Sequence, residues 1–220
     1  MRILFGLIFI FSIHLSAKTI TVSPNQDLPK IISSAPAGSK IVLKDGVYKI
    51  SRAIIFRKKG VTLSSASGKR EAVILDGKLK AGPLKRENCV NTILAIQASN
   101  VTIKSISVRY ARDHAIHISP RTEGNVSNVM LDDIHVYDCG QQLIKVNSNG
   151  RKPLFWTNDC ILKNSLIEFK DNSIMQDLGK HFYTGGLDVH GGQNWLTFTR
   201  QLVPTAPPAS HPSYRMKPSR

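Results

Sequence analysis

Two stretches of this chain carry the same order of apolar and polar positions, without a gap, 28 residues apart. Residues 99–119 read SNVTIKSISVRYARDHAIHIS, and residues 127–147 read SNVMLDDIHVYDCGQQLIKVN. Ser99, Asn100 and Val101 recur as Ser127, Asn128 and Val129. Ile103, Ile106 and Val108 recur as Leu131, Ile134 and Val136. Ala115, Ile116 and Ile118 recur as Leu143, Ile144 and Val146. Each block therefore holds three short apolar stretches separated by polar turns, and a recurrence of this length is the mark of a solenoid. A third coil follows with looser spacing, through Ile161 and Leu162, residues 166–169 and residues 187–189. The extra residues between Phe169 and Gly185 project as a longer loop. Earlier coils run through residues 54–56, 61–63, 73–75 and 93–96. A β-sandwich is the competing architecture, and it gives no reason for a gap-free recurrence.

Successive side chains of a strand point to opposite faces. With Ile116 and Ile118 inward, His117 points outward. The same phase puts Lys145 outward between Ile144 and Val146, and Asp188 outward between Leu187 and Val189. Equivalent strands of neighbouring coils lie about 4.8 Å apart. His117, Lys145 and Asp188 thus form one outward column, with Ser119, Asn147 and His190 in the next.

Before the repeats, residues 18–22 alternate as a strand. Asp27 can cap a short helix with Pro29 in its first turn, and Leu28, Ile31, Ile32 and Ala35 share one apolar side. Pro36 and Gly38 stop it. Residues 41–43 begin a new strand, and Asp45-Gly46 turns the chain into Val47-Tyr48. A solenoid needs a cover over its open apolar end, and this helix stands where that cover belongs. The expected fold is an all-β, right-handed parallel β-helix over residues 18–197 with a short N-terminal capping helix.

The two ends read differently. Residues 1–17 have the form of a secretory signal peptide: Arg2, an apolar run over residues 3–13, and small Ala17 at the cleavage point. The run is short for a membrane span, so no stable membrane insertion is expected once the leader is removed. The compartment is periplasmic or extracellular. Residues 198–220 hold five prolines and no acidic residue from Gln201 onward and read as a disordered or aberrant tail. Interruption of a longer repeat near residue 197 is the expected cause, a natural unstructured tail the alternative.

Charge narrows the partner. The 220 residues include 30 Lys and Arg against 15 Asp and Glu, for a formal net charge of +15, and such a surface attracts anions. Export and the lack of a basic–aromatic recognition motif argue against nucleic acid. An acidic polysaccharide fits the compartment, and a monomer is expected. Cys89, Cys139 and Cys160 allow at most one disulfide and make no framework. Asp113, Asp132, Asp133 and Asp138 fall near turns at scattered phases, as turn aspartates ordinarily do. Calcium is therefore possible but has no visible ligand set, and no other cofactor or metal site is expected. Asn100-Val101-Thr102 and Asn125-Val126-Ser127 match the glycosylation sequon, which is a weak signal.

The segment DLPKIISSAPAGSKIVLKDGVY, residues 27–48, resembles the opening of the pectate-lyase-like right-handed β-helix superfamily. There a capping helix leads through a Pro-Gly turn and a strand to an Asp-Gly turn before Tyr. Here Ala37 separates Pro36 from Gly38. CGQQLIKVNS (residues 139–148) and YTGGLDVHGGQNW (residues 183–195) resemble a polysaccharide-lyase-like branch, without a complete catalytic motif. The resemblance implies cleavage of a uronate glycan by β-elimination. Non-catalytic sugar binding, hydrolysis and an inactive fragment are the alternatives. Elimination needs a base, a stabiliser for the charge developing at the uronate carboxylate and a proton donor for the leaving oxygen. Lys145, His117 and His190 are the catalytic candidates. Lys145 is either the base or the carboxylate clamp, and in the second case His117 or His190 is the base. Arg112, Asn147 and Asp188 are the substrate-binding candidates.

Overall fold

The computed structural model describes residues 17–78, 89–121, 124–171, 185–190 and 196–198. Its strands stack in three columns, wound as a right-handed parallel β-helix. The first sheet holds Thr19–Val22, Lys40–Leu43, Thr62–Ser65, Thr102–Lys104, Met130–Asp132, Ile161–Lys163 and Leu196–Phe198. The second holds Gly46–Lys49, Val73–Asp76, Ser107–Arg109, His135–Tyr137 and Leu166–Glu168. The third holds Ile54–Phe56, Thr92–Ile96, His114–Ile118, Gln142–Asn147 and Gly185–His190. Val126–Ser127 and Thr157–Asn158 add a short two-stranded ribbon. Every strand pairing among the described residues is parallel, which a sandwich of antiparallel sheets does not give.

The repeat in sequence is the register in space. Thr102 faces Met130, Ser107 faces His135 and Ile116 faces Ile144. Leu196 falls opposite Ile161, which is opposite Met130, so a further coil starts in the same register. The turns keep the same phase. Asn100, Asn128 and Asp159 take left-handed backbone angles (φ 61°, 57° and 52°), as do Ser105, Asp133 and Asn164 (52°, 53° and 54°). Asn and Asp tolerate this conformation better than other side chains. In the first of these stacks the Asn128 side-chain amide also donates to Asn100 Oδ1 at 3.1 Å. The stack begins with Gly38 and Gly60 (φ 76° and 75°), where a Cβ on Gly60 would lie 3.3 Å from the Gly38 backbone.

The helix is Leu28–Ser34, with Pro29 in its first turn and Asp27 accepting from the Lys30 amide at 3.1 Å. Leu28, Ile32 and Ala35 are buried over the first coils. Tyr48 is buried with its hydroxyl 2.8 Å from the Val22 and Lys44 carbonyl oxygens, which ties the strand before the helix to the coil after it. Inward columns fill the interior: Leu63, Ile103, Leu131 and Leu162 from the first sheet, Leu75, Val108 and Val136 from the second, and Leu94, Ile116 and Ile144 from the third. Leu187 and Val189 continue the third column but are each 37% exposed. Cys139 and Cys160 are buried free thiols, and Cys89 is also unpaired.

The leader expected at residues 1–17 lies outside the described residues but for Ala17, as does the tail expected at 198–220 but for Phe198. The greater part of the long loop before Gly185 is outside them too. No helix among the described residues is long and apolar enough to cross a membrane.

Candidate functional site

The outer face of the third sheet brings together five of the six residues expected from the sequence. Lys145 pairs with His117 on one side and Asp188 on the other, and Asn147 pairs with His190. Their inward neighbours Ile116, Ile118, Ile144 and Val146 are fully buried, which fixes the opposite side chains on the outer face. His117 Nε2 lies 2.7 Å from Asn147 Oδ1 on the next coil. Burial holds the His117 imidazole below its ordinary pKa. The Asn147 bond opposes that shift, and the charges of Lys145 and Arg121 add to it. The Lys145 ammonium makes no hydrogen bond or ion pair among the described residues.

Asp188 is in register with Lys145, as its outward phase predicts, and its carboxylate is bonded to His190 Nε2 at 2.7 Å. Both side chains leave the same face of one strand two residues apart, so the pair forms within the strand. Arg112 does not join the group. It sits two residues before the His114–Ile118 strand, where the chain bends. There its guanidinium meets Asn91 Oδ1 at 3.3 Å and Asp113 Oδ1 at 3.8 Å.

His114 belongs to the site and carries no expectation from the sequence. Its ring centroid is 5.4 Å from that of His117, edge to face, and its Nδ1 is 3.1 Å from the Gln142 carbonyl oxygen. Burial lowers its pKa to about 4; the Gln142 bond opposes this and the charges of His117 and Lys145 reinforce it. His114 lies three residues before His117 on the same strand, which put it on the opposite face by alternation alone. Ala115 and Ile116 are both fully buried, so strict alternation breaks between them and the phase of His117 does not carry back to His114.

A second polar row runs along the outer face of the second sheet. Lys49, Asp76, Arg109, Tyr137 and Glu168 face one another in successive coils. Asp76 is bound by Lys49 at 2.8 Å and Arg109 at 3.1 Å. Burial raises its pKa, but the bonds from Lys49, the Lys78 amide and Arg109 outweigh this and hold it below the ordinary value. Glu168 accepts from His135 at 2.8 Å and Lys170 at 3.3 Å. The Tyr137 ring lies against His135, and Lys170 sits over its face. The 28-residue phase shows this row in the sequence, as Arg109 recurring as Tyr137. Its side chains bridge from one coil to the next, with His135 and Lys170 joining at Glu168, which makes it a tie between coils.

The turn aspartates are engaged separately. Asp132 meets Lys104 and Lys163, each at 3.7 Å. Asp133 meets Arg70 at 3.4 Å, and Asp138 accepts from the Lys170 and Asp171 amides. Gln141 donates to Asp113. Among the described residues no three His, Cys, Asp or Glu side chains gather as ligands for a metal ion. An open depression of about 660 Å³ is lined by residues 68–72 and Asp133, away from the third-sheet face.

No family model and no curated protein matches the chain. Among solved structures, pectate lyase Pel9A superposes with a TM-score of 0.60 at 15% identity, over 82% of this chain and 46% of that one. The fold is shared with a pectate lyase. Pectin methylesterase PemA from Erwinia chrysanthemi gives a TM-score of 0.49 at 17% identity, over 70% of this chain and 50% of the other. The chain thus spans about half the length of these two structures.

Proposed function

We propose that the chain acts on an acidic polysaccharide outside the cytoplasm, and that its third-sheet face carries out β-elimination at a uronate. The observation that carries this reading is the juxtaposition, on adjacent coils, of a half-buried, hydrogen-bonded histidine with a lysine that makes no ion pair among the described residues. Asn147 presents an oxygen, so His117 Nε2 donates and Nδ1 holds the lone pair. The lowered pKa keeps that ring neutral near neutral pH, the form a base requires. In this reading His117 takes the proton beside the uronate carboxylate. Lys145 holds that carboxylate and stabilises the charge that builds on it. The electron pair of the broken C–H bond forms the new double bond while the bond to the leaving oxygen breaks. His190, oriented by Asp188, returns a proton to that oxygen. Arg112 takes no part in these transfers.

Hydrolysis is a weaker reading, because it calls for two carboxylates flanking the scissile bond. Asp188 is the one carboxylate on the two outward columns among the described residues. Sugar binding without chemistry uses the same face. The purified chain, incubated with pectate, alginate and glycosaminoglycans, separates the three readings. Elimination gives the ultraviolet absorbance of an unsaturated uronate. Hydrolysis gives reducing ends without it. Binding alone gives retardation in a gel and neither product. Export is tested by the N-terminus of the secreted chain, and an intact Met1 in soluble cytoplasm contradicts it.

A further inference from the structure

The turns that leave the third sheet form a basic edge. Arg57, Lys58 and Lys59 follow Ile54–Phe56, Arg121 follows His114–Ile118, and Arg151 and Lys152 follow Gln142–Asn147. All six are exposed, and none makes an ion pair among the described residues. The described residues of these turns include no Asp or Glu; Glu123 lies outside them. Three coil steps separate the first cations from the last, roughly 14 Å at the strand spacing of a sheet.

The last of these turns is a constructed platform. The Asn149 side-chain amide donates to the Arg121 and Pro153 carbonyls, and its oxygen accepts from the Arg151 and Phe155 amides. The Trp156 amide donates to Asn125 Oδ1 at 2.8 Å, and the Trp156 carbonyl accepts from Val126 at 3.0 Å. Thr157 is buried and directed inward, so Trp156 faces outward. Its side chain is left in the open, with Trp156 38% and Leu154 44% exposed. The Thr157 hydroxyl donates to the Asn147 carbonyl at 3.0 Å, which joins the platform to the strand carrying Lys145 and Asn147.

We propose that this edge is a binding rim for an anionic glycan. The Trp156 indole offers a flat apolar face to one sugar ring, and Arg121, Arg151 and Lys152 meet the carboxylate or sulfate groups of the rings beside it. The inference rests on the polysaccharide reading above and extends it to a stretch of several sugars leading away from His117 and Lys145. A single-stranded nucleic acid is the other polyanion to weigh. Stacking along such a strand uses a succession of aromatic faces, and Trp156 is the one exposed large aromatic side chain among the described residues.

Affinity electrophoresis of the full chain tests this, with pectate, heparin or a neutral glucan in the gel and single-stranded DNA in a parallel titration. Pectate or heparin should retard the wild type, less so as salt rises. Trp156→Ala and the triple variant Arg121→Ala/Arg151→Ala/Lys152→Ala should each weaken binding about tenfold. The triple variant should also flatten the salt dependence. Circular dichroism and the urea midpoint establish that each variant is folded. Retardation lost in these variants supports the rim whether or not an unsaturated product forms, so failure of the lyase reading leaves that result standing. Unchanged binding in both folded variants, equal retardation by the neutral glucan, no retardation by either polyanion, or equal affinity for DNA overturns the proposal.

Discussion

Replacing Ile144 by alanine probes the stacking of coils directly. Ile144 is fully buried, between Ile116 of the coil before and Leu187 of the coil after. The change removes three carbons, which costs about 2.4 kcal/mol at roughly 0.8 kcal/mol per buried carbon. The closed cavity left between two coils raises the cost to about 3–4 kcal/mol, within the range of such substitutions. Leu187→Ala also removes three carbons, but from a side chain 37% exposed. Only about 1.5 kcal/mol of transfer is lost there, and no closed cavity forms. The two variants should therefore differ by about 2 kcal/mol, a large part of the 5–15 kcal/mol that stabilises an ordinary domain. Urea unfolding followed by far-ultraviolet circular dichroism reads the difference as a shift between midpoints. Equal losses, or a greater loss at Leu187, would refute the stacked register.

Two further predictions concern charge. The folded pKa of His114, about 4, lies below the usual 6.5. The unfolded chain therefore binds a proton that the folded chain excludes, and stability falls as pH drops from about 6.5 toward 4. The loss reaches about 3 kcal/mol, and His114→Gln should flatten the pH dependence over that window in denaturation midpoints. Asp76 has a depressed folded pKa, so its contribution is present above the ordinary carboxylate pKa and disappears as pH falls through the lower folded value. Asp76→Asn should cost about 2 kcal/mol at neutral pH and almost nothing in strong acid; an equal cost at both pH values contradicts the ion ties to Lys49 and Arg109.

The architecture was legible because a parallel β-helix writes its geometry into phase. A fixed recurrence stacks Ile116 on Ile144, and alternation puts His117 and Lys145 on the other face. The turn asparagines Asn100 and Asn128 announce the left-handed corner that only a few residue types enter easily. The site was legible as far as backbone register reaches. Register aligns Asp188 with Lys145, but the choice of His190 as its partner is made by side-chain torsions. Arg112 shares a strand approach with His117, yet its guanidinium turns to Asn91 and Asp113. The second-sheet row was present in the same recurrence. It was hidden because its members change type from coil to coil: Lys49, Asp76, Arg109, Tyr137 and Glu168 are a chain of complementary partners, and no single residue type repeats.

The most direct test of the proposed chemistry compares wild type with His117→Ala and Lys145→Ala on acidic polysaccharides while following the absorbance of the unsaturated uronate. The account predicts that one such polymer yields this absorbance with the wild type. Loss of the base should slow it by about 10²–10⁴-fold. Lys145→Ala should lower the rate as well, with both variants folded and still retarded by the polymer. Undiminished elimination in folded His117→Ala would contradict the account, as would wild-type release of reducing ends without the absorbance.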